Sequence, residues 1–516
     1  MEETQNTQSQ VANQNHAAPV VEDCNSKPIR FEPENIIINQ RHTKILGTLN
    51  KKTTDSMLQD YIVNGMDGIR IFCDDGYETC QRLIETARNS AQLAAKRIVV
   101  SIELRQQKKM SVGPIEKDEI MELKIGEKLR ITTDETVKGR KGIISVKNFH
   151  SFPDKLLDEC NLVFFDMGSI CAQIKQVEKD FIECEVQNDG RIYENSQVTF
   201  SHKASNSPDK NTQEQNDVDY IIHSIYKGKD EILELKQHII EECKKLERDE
   251  NQQPGVKIIA KLENEDAIID IEGILEVADC ILIPRGVLGT VLPIEKISWI
   301  QKKVIKYCNQ AAKPCILASQ FLDSMVYNPF PLRAEVTDIH SAVMDGADCL
   351  LLNSETTIGK YPIEALKTMH DVCISAEKYF NYQEFFLEML TNAEKPMQKV
   401  EAVANSCVKS AFNLQSPVIL CVTDIGRVSR MVSKYKPYSQ VIVLSTNKRL
   451  ANQCCLSRSC NGLWVSDASN VNQMIISIVD ILKEQGDVNV DEDIVFVSGV
   501  MDNQIKSQFQ IKLIQV

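Results

Sequence analysis

The chain has 516 residues, of which 42% are hydrophobic, and its 59 basic and 73 acidic residues give a net charge of −14. This length predicts several domains, and the acidic balance argues against a nucleic-acid-binding protein. No apolar run approaches the roughly 20 residues that a membrane helix needs, so we expect no membrane association.

The first segment, residues 1–36, is interpreted as a disordered tail. Its first 27 residues are polar, rich in Gln and Asn and free of arginine, which is typical of neither a signal peptide nor an Arg-rich transit peptide. The chain holds 17 cysteines, an odd number without a Cys-x-x-Cys pair, which argues against a disulfide framework and against zinc. These features predict a cytoplasmic protein.

Residues 37–103 alternate between apolar strands and helices, and residues 104–216 follow a different pattern. The strands predicted in the first part are Lys44–Leu49, Gly68–Phe72 and Arg97–Ile102. The second part has strands in which apolar and polar residues alternate, among them Lys128–Thr133, Leu162–Asp166 and Phe181–Val186. We interpret residues 104–216 as a β domain inserted into the unit that begins before it.

Strand–helix units resume in residues 217–385. The strands predicted there are Val256–Leu262, Cys280–Pro284, Pro314–Ser319 and Cys349–Asn353, with a helix over Ile294–Tyr307. Nearly continuous apolar strands separated by helices predict a parallel sheet that is covered on both faces. Residues 395–516 form a separate α/β unit with strands Val418–Thr423, Gln440–Ser445, Gly462–Val465 and Ile494–Ser498.

Polar residues follow the strands of residues 217–385, where a (β/α)8 barrel places its chemistry. Lys261 and Glu263 are two residues apart, so they face the same way and can point at one metal ion and one phosphate. The next strand ends at Pro284, and Val287 stands where we expect a second metal carboxylate. Taken alone, a Lys-x-Glu pair is more often an ion pair at the protein surface.

Five longer motifs carry a specific resemblance. They read IIAKLENEDAI, PRGVLGTVLPIEK, KPCILASQFLDSM, PLRAEVTDIHSAVMDGADCLLLNSET and KYPIEAL, and they closely resemble the pyruvate kinase family. The resemblance implies an α/β fold: a (β/α)8 TIM barrel over 37–103 and 217–385, an inserted small β-barrel lid domain over 104–216 and a C-terminal α/β domain over 395–516. It also implies a homotetramer, or a hetero-oligomer with pyruvate kinase paralogues.

The resemblance assigns roles to several retained residues. Lys261 matches the cation on the transferring phosphoryl group, and Glu263 matches one metal carboxylate. Ser319 stands for the usual threonine and keeps the hydroxyl that is implicated in proton delivery. The remaining matches are Arg70 for nucleotide or phosphate, the backbone N–H groups of Gly286 and Val287 for the substrate carboxylate, and Glu355, which keeps its family identity.

Other positions depart from the family pattern. Phe72 and Asp74 replace two potassium ligands, Asp75 replaces a histidine and Met110 replaces a nucleotide-binding arginine. Glu103 stands where the family has an aspartate, and Lys108 falls where some members carry a lysine in place of potassium. In the lid, Asp166 is retained and Met167 replaces a second aspartate. The carboxylate of Asp424 should repel phosphate at the effector site, so we expect no activation by a sugar bisphosphate.

Two hypotheses follow. The first is a pyruvate kinase-like phosphotransferase that converts phosphoenolpyruvate and ADP to pyruvate and ATP, with weak activity, weakly held Mg²⁺ or Mn²⁺ and no need for K⁺. The second is a non-catalytic paralogue that acts as a structural or regulatory subunit. Enolate chemistry of the aldolase type on the same barrel is a third idea, which the missing carboxylate at Val287 disfavours.

Overall fold

The structure is a computed structural model, and it describes most of the chain. The described residues are 30–32, 41–104, 110–116, 120–147, 162–165, 170–194, 196, 198–200, 218–226, 228–245, 255–468, 470–500 and 508–516.

Eight parallel strands close into a barrel, which confirms the predicted (β/α)8 architecture. In order around the barrel they are Tyr220–Ile225, Lys257–Leu262, Cys280–Pro284, Cys315–Ala318, Cys349–Leu352, Lys44–Leu49, Gly68–Phe72 and Val99–Glu103. The strands are short, mostly apolar and buried along nearly their whole length, as expected when helices cover a parallel sheet. All eight therefore bring their carboxyl ends to one face of the barrel.

Helices surround this barrel and connect its strands. They are Asp55–Val63, Tyr77–Leu93, Lys229–Lys245, Glu265–Ile269, Ile271–Val277, Arg285–Val291, Ile294–Gln310, Arg333–Met344, Ser354–Thr357 and Pro362–Glu377, with 3₁₀ turns at Cys73–Asp75 and Asp323–Val326. Side chains cap two of the helix starts, since Thr54 Oγ1 accepts from the Met57 N–H and Asn264 Oδ1 from the Ala267 N–H. Asn264 thereby turns the chain into a helix just after Glu263.

The segment between the barrel strands Val99–Glu103 and Tyr220–Ile225 forms a β domain. Its seven-stranded sheet has the order Val198–Phe200, Leu162–Phe165, Ile170–Val177, Phe181–Val186, Lys128–Thr132, Ile143–Lys147 and Ser111–Val112. Gly190–Tyr193 and Ile120–Leu123 make a separate antiparallel pair. This sheet has its own apolar core, as an inserted domain requires.

The C-terminal domain is a six-stranded sheet with helices on its faces. Its order is Phe31–Glu32, Cys460–Val465, Gln440–Ser445, Val418–Thr423, Asp493–Val500 and Gln508–Gln515. The two edge strands are antiparallel and the inner strands are parallel. The helices are Tyr382–Thr391, Lys399–Leu414, Arg427–Lys434, Lys448–Cys454 and Val471–Gln485.

The strand at Phe31–Glu32 corrects the predicted disordered tail. Phe31 pairs with Val465, and its partly buried side chain packs against the C-terminal core. The Glu32 carbonyl oxygen accepts a hydrogen bond from Arg97 Nε at 3.1 Å. Backbone pairing at a sheet edge and this arginine therefore order part of a segment whose composition predicts disorder. Across the described residues, no helix combines the length and apolarity needed to cross a membrane.

Candidate functional site

Four charged side chains meet at the carboxyl ends of three barrel strands. Lys261 Nζ lies 2.8 Å from Glu103 Oε1 and 2.8 Å from Glu263 Oε1, and Arg70 Nε lies 2.8 Å from Glu103 Oε2. All four residues are at most 5% exposed. A surface ion pair at Lys261 and Glu263 is therefore excluded, and the four residues form a buried cluster with two positive and two negative charges.

The Lys261 ammonium is stabilised as a cation. Burial opposes its charge, but the carboxylates of Glu103 and Glu263 outweigh burial and raise the pKa of Lys261 above its ordinary value. Lys261 therefore carries a full positive charge at neutral pH. His223, one strand away, behaves in the opposite way, because burial lowers its pKa to about 4 while the Glu263 charge opposes that shift.

Both oxygens of Glu263 are engaged. Oε1 accepts hydrogen bonds from Ser224 Oγ at 2.7 Å and contacts Lys261, and Oε2 accepts from the Tyr226 hydroxyl at 2.9 Å. Ser224 pairs with Lys261 in the parallel register, so neighbouring strands place its hydroxyl beside the site. The sequence analysis did not single out Ser224 or Tyr226, although both lie at the end of an apolar strand, where polar residues mark barrel sites.

Asn353 connects Arg70 to Ser319. Its Oδ1 accepts hydrogen bonds from Arg70 Nη1 at 3.0 Å and Thr48 Oγ1 at 3.1 Å, and its Nδ2 donates to Ser319 Oγ at 3.4 Å. Sequence reasoning gave Asn353 no role, although it is the first residue after the strand Cys349–Leu352. The predicted site residues Arg70, Lys261 and Ser319 thus belong to one connected polar network.

Ser319 lies in a strained backbone segment. Its φ is +79° and that of Gln320 is +60°, a left-handed conformation that residues other than glycine adopt at a cost of about 1–3 kcal/mol each. Arg285 Nη2 donates to the Ser319 carbonyl oxygen at 2.8 Å while its Nη1 pairs with Asp338 at 2.7 Å. The strand end and this arginine therefore hold the Ser319 hydroxyl in position.

Glu355 lies beneath this loop. Its Oε1 accepts from the Leu322 N–H at 3.1 Å and its Oε2 from the Asn353 N–H at 2.8 Å. Burial raises the pKa of Glu355, and these backbone hydrogen bonds oppose the rise. Glu355 thus braces the two loops that carry Asn353 and Ser319. A Cβ at Gly359 would lie 2.3 Å from the Glu355 carbonyl oxygen, so the turn after Glu355 needs glycine.

Val287 lies in the first turn of the helix Arg285–Val291, directly after the strand Cys280–Pro284. Gly286 and Val287 are buried, and Val287 is 6% exposed. The Val287 carbonyl oxygen accepts from Thr290 Oγ1 at 2.7 Å. The position that we expected to carry a second carboxylate is therefore packed as an apolar residue.

The other residues that depart from the family pattern lie in different parts of the structure. The Arg70 guanidinium lies over the Phe72 ring at 4.5 Å, so Phe72 contacts the site through its aromatic face. Met110 packs against the core of the inserted sheet. Lys108, Asp166 and Met167 lie outside the described residues, as does the side chain of Asp74.

A divalent metal does not fit the residues around Glu263. Mg²⁺ needs near-octahedral oxygen ligands, but three donors already contact the two Glu263 oxygens and the Val287 side chain supplies no oxygen. Within the described part of the chain, no cluster of three or more His, Cys, Asp or Glu side chains is arranged to hold a metal. The predicted metal site is therefore incomplete as folded.

The fold and this cluster define a (β/α)8-barrel protein with a buried, charged site at the carboxyl ends of its strands. Comparison with known proteins is more specific. Profiles described as "Pyruvate kinase, barrel domain" and "Pyruvate kinase, alpha/beta domain" match residues 40–366 and 401–509. The chain belongs to the pyruvate kinase family.

Individual relatives agree over most of the chain. A pyruvate kinase of Eimeria tenella is 28% identical over 473 residues, covering 89% of this chain and 86% of its own length. A pyruvate kinase of Candida albicans is 30% identical over 434 residues, covering 80% and 82%. The solved structure of Cryptosporidium parvum pyruvate kinase in complex with ADP superposes with a TM-score of 0.84 at 27% identity, covering 93% of this chain and 97% of that one.

Proposed function

We propose that this chain is a pyruvate kinase-type phosphotransferase of low activity, which transfers the phosphoryl group of phosphoenolpyruvate to ADP. The observation that carries the proposal is the position of Lys261. Its ammonium is buried, held as a cation and joined through Glu103 to Arg70. Phosphoryl transfer needs mainly positioning and positive charge, and these two residues supply both.

The other side chains of the network support the second half of such a reaction. After the phosphoryl group leaves, the enolate of pyruvate must take up a proton. Ser319 presents a hydroxyl in a fixed, strained position beside Asn353, and that hydroxyl can deliver a proton through a hydrogen-bonded chain. Arg285 and Glu355 position this loop and, in the proposed reaction, do not touch the substrate.

The proposal includes low turnover because the positive charge on the site comes from side chains alone. The cluster of Arg70, Lys261, Glu103 and Glu263 is electrically neutral, and the residues around Glu263 do not complete a metal site. Electrostatic stabilisation of the developing charge is usually the largest catalytic contribution. Partial loss of this electrostatic stabilisation should lower kcat more than it raises KM.

One observation favours a second candidate function, that of a non-catalytic subunit. Val287 leaves a divalent ion without a second carboxylate, and the Tyr226 hydroxyl donates to Oε2 of the remaining carboxylate, Glu263. A chain with this site would bind phosphoenolpyruvate-like acids without turning them over, and it would assemble with itself or with active paralogues. In either case we propose a cytoplasmic location, which the odd number of cysteines without a Cys-x-x-Cys pair favours.

Pyruvate formation from phosphoenolpyruvate and ADP tests the proposal. The purified chain is assayed with Mg²⁺ and with Mn²⁺, each with and without K⁺, beside Lys261→Met. Lys257→Met is the matched control, because Lys257 is the first residue of the strand Lys257–Leu262, which also carries Lys261. We expect slow turnover that Lys261→Met abolishes and Lys257→Met retains. Turnover that is equal in all three proteins, or absent in all three, contradicts the proposed activity, and its absence favours the subunit function.

A further inference from the structure

The carboxylate of Glu103 occupies the two cations that a phosphate-bearing ligand needs. Its Oε1 lies 2.8 Å from Lys261 Nζ and its Oε2 lies 2.8 Å from Arg70 Nε. No other described carboxylate contacts both of these residues at ion-pair distance. Glu103 therefore bridges the cations of the site in the way that two oxygens of a bound phosphate would.

The contact with Arg70 is incomplete. Arg70 is 2% exposed, and its buried Nε–H makes no hydrogen bond among the described residues, although Glu103 Oε2 is within ion-pair distance. The guanidinium is otherwise held by Asn353 through Nη1 and by the face of Phe72. A buried donor without a well-aligned hydrogen bond is energetically unfavourable. A ligand oxygen in line with Nε–H would remove this cost.

Glu263 has a different role from Glu103, although it contacts the same lysine at the same distance. Ser224 and Tyr226 hold the two oxygens of Glu263, and Glu263 has no contact with Arg70 within ion-pair distance. Glu263 thus fixes Lys261 from the side. Glu103 is the carboxylate that stands between the two cations.

We infer that Glu103 acts as an internal anion that occupies the substrate-binding cations of the free chain and sets which ligands can enter. This inference rests on the proposed function, since it concerns the same site. An incoming anion must compete with both contacts of Glu103, so it needs two oxygens that reach both cations and more negative charge than the carboxylate that it displaces. A phosphate monoester dianion such as that of phosphoenolpyruvate carries this larger charge, whereas the carboxylate of pyruvate carries only the same single charge as Glu103.

Equilibrium binding measurements on the full chain test the inference without relying on turnover. The probes are phosphoenolpyruvate, inorganic phosphate and pyruvate, titrated by calorimetry in chelator-treated buffer of constant ionic strength. The proteins are the wild type, Glu103→Gln and Glu263→Gln. The two substitutions remove the same charge at the same 2.8 Å from Lys261 Nζ, so they differ in whether the lost carboxylate also contacts Arg70.

We expect Glu103→Gln to tighten the binding of phosphoenolpyruvate and inorganic phosphate at least tenfold. Pyruvate binding should change less than threefold, and Glu263→Gln should tighten phosphate binding by less than threefold. Equal gains in the two variants would assign the effect to net charge and overturn the inference, as would an unchanged or weaker affinity in Glu103→Gln. A gain for pyruvate equal to that for phosphate would overturn the proposed ligand requirement.

Glu103→Asp keeps the inference testable if the glutamine variant does not fold. The shorter side chain retains the charge but cannot contact both cations from the same strand position. Phosphate should bind at least threefold more tightly to it, and an affinity equal to that of the wild type overturns the inference. Because each readout is binding, a chain that makes no pyruvate still decides the question, and the failure of the proposed activity remains separate.

Discussion

Lys261 and Glu263 are two residues apart in the sequence and form a buried ion pair, with Lys261 Nζ 2.8 Å from Glu263 Oε1. Lys261 belongs to the strand Lys257–Leu262, and Glu263 follows that strand directly. The alternation of side chains along a strand puts both on the same side. The pair lies inside a network that also holds Glu103, Ser224 and Tyr226.

We predict that Val287→Asp restores metal affinity only in part. The new carboxylate would add an oxygen ligand, but the Tyr226 hydroxyl still donates to Glu263 Oε2. The double variant Val287→Asp/Tyr226→Phe should therefore bind Mn²⁺ about tenfold more tightly than Val287→Asp alone, measured by electron paramagnetic resonance. Tyr226→Phe alone is the control and should not gain affinity. Full activity from Val287→Asp alone would contradict the importance of Tyr226 and Phe72.

Two substitutions at Ser319 distinguish the effect of its backbone strain from the effect of its hydroxyl group. Ser319 has a φ of +79°, so Ser319→Gly should relieve strain and raise the free energy of unfolding of the barrel by about 1 kcal/mol. Ser319→Ala keeps the strain and removes the hydroxyl, so it should not gain stability. If Ser319 delivers the proton, both variants should lose turnover to a similar extent. Retained pyruvate formation in either variant would show that another group protonates the enolate.

We predict that Asp67→Asn strongly destabilises the barrel. Asp67 is buried, and its Oδ2 lies 2.7 Å from Arg41 Nη2 and accepts from the Ile45 N–H at 2.8 Å. Removing the buried Asp67 charge that compensates Arg41 and Lys96 should cost about 3–5 kcal/mol. Denaturant unfolding at pH 7 measures this cost.

Asp55→Asn is the matched control, because its partner Arg82 is 40% exposed and such a pair is worth at most about 1 kcal/mol.

The Asp67 pair also makes the stability of the barrel depend on pH. Burial opposes the Asp67 charge, but Arg41 and its neighbours lower the pKa of Asp67 below the ordinary 3.8. The stabilisation is thus present above about pH 4 and lost as the pH falls below it. Equal losses of unfolding free energy in Asp67→Asn and Asp55→Asn at pH 7 would contradict the role assigned to burial.

His223 should contribute to loss of stability at mildly acidic pH. Burial lowers its pKa from 6.5 to about 4, so the folded chain binds fewer protons than the unfolded chain between these values. Its contribution is present above about pH 6.5 and declines as the pH falls towards 4, by up to about 3 kcal/mol at 1.36 kcal/mol per pKa unit. His223→Gln should flatten the change in unfolding midpoint over this window. An unchanged slope would contradict the assignment.

Much of the barrel was readable from the sequence, because its strands are short apolar runs that each end in polar residues. Lys44–Leu49, Gly68–Phe72 and Cys280–Pro284 agree with the structure at both ends, and the four other predicted barrel strands differ by one or two residues. The strand Tyr220–Ile225 was not predicted individually. The strand at Phe31–Glu32 was missed because two residues carry no periodicity. It is ordered by a sheet edge more than 400 residues away in sequence.

The sequence by itself determined the repeated strand–helix units, the same-side placement of Lys261 and Glu263 and the replacement of a carboxylate by Val287, because these depend on local periodicity and residue identity. Only the tertiary structure decided that Glu103 bridges Arg70 and Lys261, that Ser224 and Tyr226 occupy Glu263, and that Asn353 joins Arg70 to Ser319. Such contacts arise when barrel closure brings strand ends from distant parts of the chain to one face. Local sequence patterns do not encode that distance, so the arrangement of charges in the site follows from the folded barrel.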